Sequence, residues 1–430
     1  MNIVYVHTHD TGKYIEPYGH RIPTPHLMQL AQEGTLFRQA FSTAPTCSPS
    51  RAGLLTGRTP HACGMMGLAH LGHQLHDPTQ HLAHYLTQHG YETVLCGFQH
   101  ETAWSEPRHL GYQRILEQEV EPHVQQDLTP TMSLTERDLR NTQLAVDYIR
   151  ARPLNKPFFL SFGLLNTHRS FPDVADESAA NYVLPPAPLA DRHIHRKDMA
   201  AYIASAGVVD QCLGQLLSAL RDSGLDDHTM LIFTTDHGLA FPLMKCNLTD
   251  SGIGVSLIIR YPQHRARGQV IDALVSQLDV FPTICEWLHL DRPRWLEGHS
   301  LLPLMEGICN QIRHEIFAEV NTHIDLEPMR CVRTDRFKLI AAGDQALQRS
   351  EANMDSGFSK ESLIAQGFLH QSREPLALYD LFFDPLETNN VIHDPRYASI
   401  ASDLKNRLQT WMIDTEDPYL EPFKEILQIL

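Results

Sequence analysis

What this chain lacks narrows its function first. Positive charge is in short supply: 35 Lys and Arg stand against 51 Asp and Glu over 430 residues, a formal charge of −16. That balance argues against nucleic acid or an anionic membrane surface as a partner. No apolar run reads as long enough to span a bilayer. The start has neither a basic segment nor a small-residue cleavage site, since Met1-Asn2 runs straight into Ile3-Val4-Tyr5-Val6 as a first core strand would. The eight cysteines (Cys47, Cys63, Cys96, Cys212, Cys246, Cys285, Cys309 and Cys331) contain no C-x-x-C pair. A zinc ribbon or disulfide frame is therefore not expected, and reduced thiols in a cytoplasmic protein are. Internal repeats and low-complexity tracts are also missing.

What is there is the composition of a globular protein, 42% hydrophobic and 20% charged, with enough length for two domains. Apolar runs at 3–6, 93–96, 158–162, 230–233 and 255–260 read as strands. They alternate with helical patterns at 24–34, 77–89, 133–149 and 196–220, the last with Leu213, Leu216, Leu217 and Leu220 as its inner stripe. This order predicts an α/β fold with a large, mainly parallel sheet sandwiched by helices over residues 1–312. From 313 to 430 the texture changes to short strands near 316–318, 329–333, 337–340 and 376–381 and a helix at 398–412. A smaller C-terminal α+β domain is expected there, with 345–371 as a long surface loop.

Ligands of such sheets gather beyond the carboxyl ends of the strands. His9/Asp10, His100, His168 and Asp236/His237 each follow a predicted strand, so one rim can hold them all. Asp and His in adjacent pairs are natural ligands for a divalent ion.

The most informative stretch is Cys47-Ser48-Pro49-Ser50-Arg51-Ala52-Gly53-Leu54-Leu55-Thr56-Gly57. Pro49 suits a first helical turn, Ser48 or Ser50 can cap the free N–H groups, and Arg51 adds a permanent cation. Cys47 then faces an anion site built from the helix N-terminus and a guanidinium. The bland alternative is a low-pKa cysteine at the start of an ordinary helix.

These residues match the signature C-x-P-S-R-x-x-x-L-T-G, and the chain resembles the sulfatase family of the alkaline phosphatase superfamily. Gly90-Tyr91-Glu92-Thr93 through His100 resembles the second signature of that family, with Phe98 where a lysine is usual. Tyr379-Asp380-Leu381 with Asp384-Pro385 and the run from Val332 to Ile340 resemble its C-terminal part. Pro60-His61, Gly64 to His70, His168-Arg169 and Phe241-Pro242 are most similar to the sulfamidase (heparan N-sulfatase) branch.

The resemblance implies that Cys47 is oxidised by a formylglycine-generating maturation enzyme, and that its hydrate attacks sulfur to form a covalent sulfo-enzyme. It implies His9, Asp10, Asp236 and His237 as holders of one divalent ion. Calcium is the family's usual ion, and two imidazoles leave manganese or zinc open. Arg51 would hold the nucleophile, His168 would protonate the leaving atom, and His100 would help to expel sulfate. Lys245 and His70 would bind the substrate, expected to be a sulfated sugar or another small organic sulfate. Two rivals stay open: a phosphodiesterase or phosphonate monoester hydrolase on the same scaffold, and a non-catalytic anion-binding relative.

Overall fold

The computed structural model of the chain describes residues 1–103, 106–120, 132–152, 156–174, 177–262 and 267–428. Eight strands form the large sheet: β1 (Asn2–Thr8), β2 (Thr35–Phe41), β3 (Glu92–Gly97), β4 (Arg114–Ile115), β5 (Phe158–Gly163), β6 (Thr229–Thr235), β7 (Leu257–Arg260) and β8 (Gln269–Ser276). Their spatial order is β4-β3-β5-β1-β6-β7-β2-β8. Within this sheet β7 alone runs antiparallel to its neighbours among the described strands. A second sheet, fully antiparallel, has the order β12-β11-β10-β9, from β9 (Glu315–Thr322), β10 (Leu326–Thr334), β11 (Phe337–Ala342) and β12 (Leu376–Asp380). The expected α/β architecture with a smaller antiparallel sheet is borne out.

The central strand β1 is buried along its whole length, which is why it reads as an unbroken apolar run rather than an alternating one. Its side chains still alternate between two cores. Ile3 and Tyr5 join Phe159, Met230 and Ile232 on one face, while Val4 and Val6 join Leu160, Phe162 and Phe233 on the other. The helices that bear on function are α1 (Pro25–Glu33), α2 (Cys47–Thr56), α3 (Leu134–Arg150), α4 (His193–Asp222), α5 (Phe358–Ala365), α6 (Ala398–Asp414) and α7 (Leu420–Leu427). Helix α2 packs Leu54 and Leu55 into the first core, and α3 and α4 cover the second. The leucine stripe of α4 is fully buried, as its spacing predicts.

One expectation changes here. By length and composition α4 could cross a membrane, but most of its apolar window is packed inside the protein. It is a core helix in this fold. The predicted surface loop at 345–371 also differs: it carries a helical turn at Asp344–Leu347, helix α5 and a 3-10 turn at Phe368–His370.

Register brings the site together. Thr8 pairs with Thr235, His7 with Gly163, and Gly163 with Gly97, so four parallel strands end level. At the last pair the chains come so close that a Cβ on Gly97 would meet the Gly163 carbonyl oxygen at 2.1 Å. Asp138 of α3 then fixes the exit of β5, its carboxylate accepting from Leu165 N, Asn166 N and Asn166 Nδ2 at 2.7–2.8 Å.

The two sheets share a core in which Phe41, Leu248, Ile253 and Leu274 meet Ile316, Ala318, Val320 and Met329. Beside it lies a buried ionic cluster. His61 Nδ1 sits 2.8 Å from Glu319 Oε1, and Arg330 reaches Glu319 at 3.4 Å and Asp417 at 2.6 Å. These four side chains balance in charge only when His61 is protonated. Burial works against that form, but Glu319 holds the imidazole above its ordinary value. A raised histidine contributes stability that is full below its unfolded pKa of ~6.5 and lost as pH climbs through the folded value. The difference in Tm between the wild type and His61→Ala is therefore expected to be largest near pH ~6 and to shrink as pH rises. Thermal melts across that range check it.

Candidate active site

Asp236 leaves the end of β6 and collects donors from three elements. Its Oδ1 accepts from Asp10 N at 2.8 Å and His237 N at 2.9 Å. Its Oδ2 takes Arg51 Nη2 at 3.0 Å and lies 3.1 Å from His9 Nδ1. Burial opposes the charged carboxylate, but the groups paired with it, His237 and Arg51 foremost, hold it well below the usual range. Arg51 is anchored in turn, donating from Nη2 to Thr8 O at 2.9 Å and from Nη1 to His7 Nδ1. Burial and the Arg51 charge drive both His7 and His9 well below the ordinary histidine value, so both rings are neutral.

Cys47 is the first residue of α2. The capping expectation is corrected: Thr46 precedes the helix without a side-chain cap. Ser48 Oγ accepts from Ala69 N at 3.0 Å, and Ser50 Oγ donates to Asp236 O at 2.5 Å. The serines thus tie the helix start to its neighbours and leave its N-terminus to Cys47. The sulfur lies 3.5 Å from His237 Nε2. Burial pushes the thiol far above its ordinary range, with Lys245 and Arg51 pulling the other way. Burial thus works against the reading of Cys47 as a low-pKa cysteine.

His237 Nδ1 lies 3.0 Å from Gly238 O, which can only accept, so Nδ1 carries a proton and Nε2 is the nitrogen turned to the site. Nε2 faces Asp10 Oδ1 at 3.3 Å and Asp236 Oδ2 at 3.6 Å. These three atoms converge where a divalent ion could be held. Asp10 Oδ1 and His9 Nε2 are buried without a hydrogen-bond partner among the described residues, and ligand atoms of His9, Asp10, Cys47 and Asp236 lie within 4.8 Å of one another. The donor set fits a divalent ion. The backbone is strained at the same place: Asp10 (φ 51°), Leu243 (φ 72°) and Cys246 (φ 63°) are left-handed without being glycine.

The remaining predicted residues close the rim. Lys245 Nζ lies 3.2 Å from Asp10 Oδ2; burial disfavours its charge, but Asp10 and Asp355 raise its pKa well above normal. His168 Nε2 stands 3.9 Å from Asp10 Oδ2, and its Nδ1 is pinned by Arg169 O. His100 lies beside His9, with ring centroids 6.5 Å apart, and shares a 2.9 Å hydrogen bond with exposed His70. Burial, then the neighbouring His70, depress the pKa of His100 strongly. Phe98, where the resemblance leads one to expect a lysine, packs on His9 at 4.1 Å and over the Arg51 guanidinium at 5.4 Å. All ten predicted residues thus come to one rim.

Two were missed. Asp355, from the segment expected to be a surface loop, reaches Lys245 Nζ at 3.0 Å. His323, at the end of the β9 strand, is buried, and Lys245, Asp355, His237 and His168 all act on its charge. Nothing local in the sequence marked either residue; only the path of the chain between the two sheets does.

A level rim of parallel strands, paired Asp and His ligands, and a residue at a helix N-terminus beside two buried cations define a hydrolase of the alkaline phosphatase superfamily. The family model described as Sulfatase matches residues 1–290, and that of the N-sulphoglucosamine sulphohydrolase C-terminal region matches residues 243–348. The chain belongs to the sulfatase family. It is 30% identical to human N-sulphoglucosamine sulphohydrolase, over 93% of this chain and 87% of that one. A protein solved with its substrate D-glucosamine-2-N,6-O-disulfate superposes with a TM-score of 0.73 at 19% identity, covering 97% of this chain and 98% of the other. The phosphonate monoester hydrolase of Agrobacterium radiobacter superposes with a TM-score of 0.71 at 21% identity, with 96% of each chain covered. The protein is a sulfatase.

Loading with Ca²⁺, Mn²⁺ or Zn²⁺ is expected to raise the Tm of the wild type. At a hundredfold excess over Kd, binding to the folded state alone stabilises by about 2.7 kcal/mol. Asp236→Asn removes a candidate ligand and the partner of Arg51, so the metal-induced shift should vanish while the apoprotein also loses stability. Differential scanning fluorimetry with and without chelator reads both.

Proposed function

We propose that this sulfatase hydrolyses a sulfate ester or sulfamate on a small sugar, using a formylglycine matured from Cys47 and releasing inorganic sulfate. The observation that carries the reading is the position of Cys47 at the mouth of α2, 3.5 Å from His237 and among His9, Asp10 and Asp236. Similarity to the human N-sulphoglucosamine sulphohydrolase, along the greater part of both chains, supports a sulfated amino sugar as the substrate class.

His9, Asp10, Asp236 and His237 would hold one divalent ion, calcium by family expectation, with manganese or zinc compatible with two imidazoles. Such an ion supplies charge neutralisation for an anionic ester and lowers the pKa of the nucleophile. The chain's own groups do the rest. Arg51 and Lys245 oppose the charge of the sulfuryl group, and burial strengthens both interactions. A formylglycine hydrate at position 47 would supply the attacking oxygen, its proton passing to bulk water as the S–O or S–N bond to the sugar breaks. His168, with Nδ1 pinned, gives a proton from Nε2 to the departing oxygen or nitrogen. His100, held neutral, takes the proton of the second hydroxyl. The aldehyde would be recovered as sulfate leaves, and one water would restore the hydrate. His70 meets the substrate from the exposed side of His100.

A formylglycine-generating enzyme is part of this proposal as the maturation partner. A cytoplasmic location is also proposed, supported by cysteines that are all unpaired among the described residues. The second reading, phosphonate monoester or phosphodiester hydrolysis, draws support from Phe98 standing where a further cation is usual.

Co-expressed with a maturation enzyme, the tryptic peptide holding Cys47 is expected to carry an aldehyde by mass spectrometry. Cys47→Ala should lower turnover of an aryl sulfate by about a thousandfold or more. The mature enzyme should prefer an aryl sulfate to an aryl phosphonate; the reverse order transfers the assignment to the second reading.

A further inference from the structure

A cavity of about 590 Å³ opens beside the site, lined among others by Arg169, Phe171, Asp173, Lys197, Phe358 and Glu361. Its walls include Arg169 and Ser356, the residues that directly follow His168 and Asp355. Of the side chains paired with Asp10 or Lys245, those two open to solvent: the side chains of His168 and Asp355 are 32% and 19% exposed, whereas Asp10, Asp236 and His237 are fully closed off. A leaving group attached to a sulfuryl group near Lys245 therefore has an opening on this side.

Asp355 is held firmly. Two residues earlier, buried Asn353 donates to Asp325 O and Glu327 Oε2 and accepts from Ile324 N and Asp325 N. Two residues later, Gly357 packs on Arg169 so closely that a Cβ would lie 2.4 Å from its Nη1. Ser359 N then donates to Asp198 Oδ2 at 3.1 Å, and Asp198 grips Arg169 through two bonds of 2.6 and 2.8 Å. A carboxylate beside an anion site repels the sulfuryl group, and Lys245 is already shared with Asp10. Besides holding Lys245, the partly exposed carboxylate of Asp355 can accept from a donor that the substrate brings.

The charge of Arg169 is spent on Asp198. What remains at the rim is Asp173 and Glu361, both exposed, against the single ammonium of Lys197. Within a protein of net charge −16, such a rim disfavours another anionic group on the ring. The aromatic walls Phe171 and Phe358 suit the apolar face of a sugar.

Resting on the reading above, we propose that this cavity is the leaving-group site. Asp355 reads a hydroxyl or ammonium donor on an uncharged or amino-bearing sugar ring, and the rim carboxylates turn away rings that bear a second sulfate. Asp355 is a specificity residue in this scheme, and it also positions Lys245.

The test uses mature, metal-loaded full-length enzyme and three probes: 4-nitrophenyl sulfate, N-sulfated glucosamine and D-glucosamine-2-N,6-O-disulfate. The wild type is expected to favour the monosulfated over the disulfated sugar by about tenfold in kcat/KM, and Asp173→Asn/Glu361→Gln should shrink that preference severalfold. Asp355→Asn should lower kcat/KM for the monosulfated sugar about tenfold more than for 4-nitrophenyl sulfate, which offers no ring hydroxyl, with Asp355→Glu recovering part of the loss. An equal loss on both probes assigns Asp355 to Lys245 alone and overturns the proposal. Faster turnover of the disulfated sugar by the wild type overturns it too. Sulfate release from none of the three by the wild type sinks the underlying reading, and this one with it.

Discussion

Everything at the rim leans on the carboxylate of Asp236. A buried charge is costly unless it is paired and hydrogen-bonded, and here the pairing is what assembles the site. Its Oδ1 gathers the exits of β1 and β6 through two backbone N–H groups, while its Oδ2 pulls in Arg51 from α2 and His9 from the first strand. Residues 9–10 and Arg51, each more than 180 residues from Asp236 in sequence, are locked to it by this one side chain. Every member is buried.

The electrostatics follow from that choice. An acidic protein that handles an anion must concentrate its cations, and Arg51 and Lys245 are each committed to carboxylates before any substrate arrives. Phe98 supplies an aromatic wall against His9 and Arg51. The site therefore gains strength per charge through exclusion of water rather than through more charges. The neutral states of His9 and His100 belong to the same design, since burial removes their protons and keeps their lone pairs available.

Much of this was readable from residue order. Buried parallel strands announce themselves as apolar runs, and the residues just after them must share a rim, so His9, Asp10, His100, His168, Asp236 and His237 could be grouped without a structure. Strands β2 and β8 were harder. Arg38-Gln39 interrupts the first and Asp272 the second, each at a position that faces away from the core. Asp355 was illegible for a different reason: it sits in a polar segment with no periodicity, and its place depends on where the second sheet lies against the first. Ser48 and Ser50 misled because their type suits a cap, whereas their partners come from distant chain.

The reversed strand β7 has a further meaning for how such an enzyme changes over generations. Because β6 leaves the sheet at the catalytic edge and β7 re-enters at that same edge, residues 236–256 never have to travel to the opposite end of the sheet. A crossover between parallel strands would spend that length on a return path. Here the whole excursion is spent above the pocket, and it carries His237 and Lys245. Its length is not spare, because Leu248 and Ile253 are built into the core between the two sheets, so this loop can change the catalytic mouth by substitution rather than by gaining or losing residues.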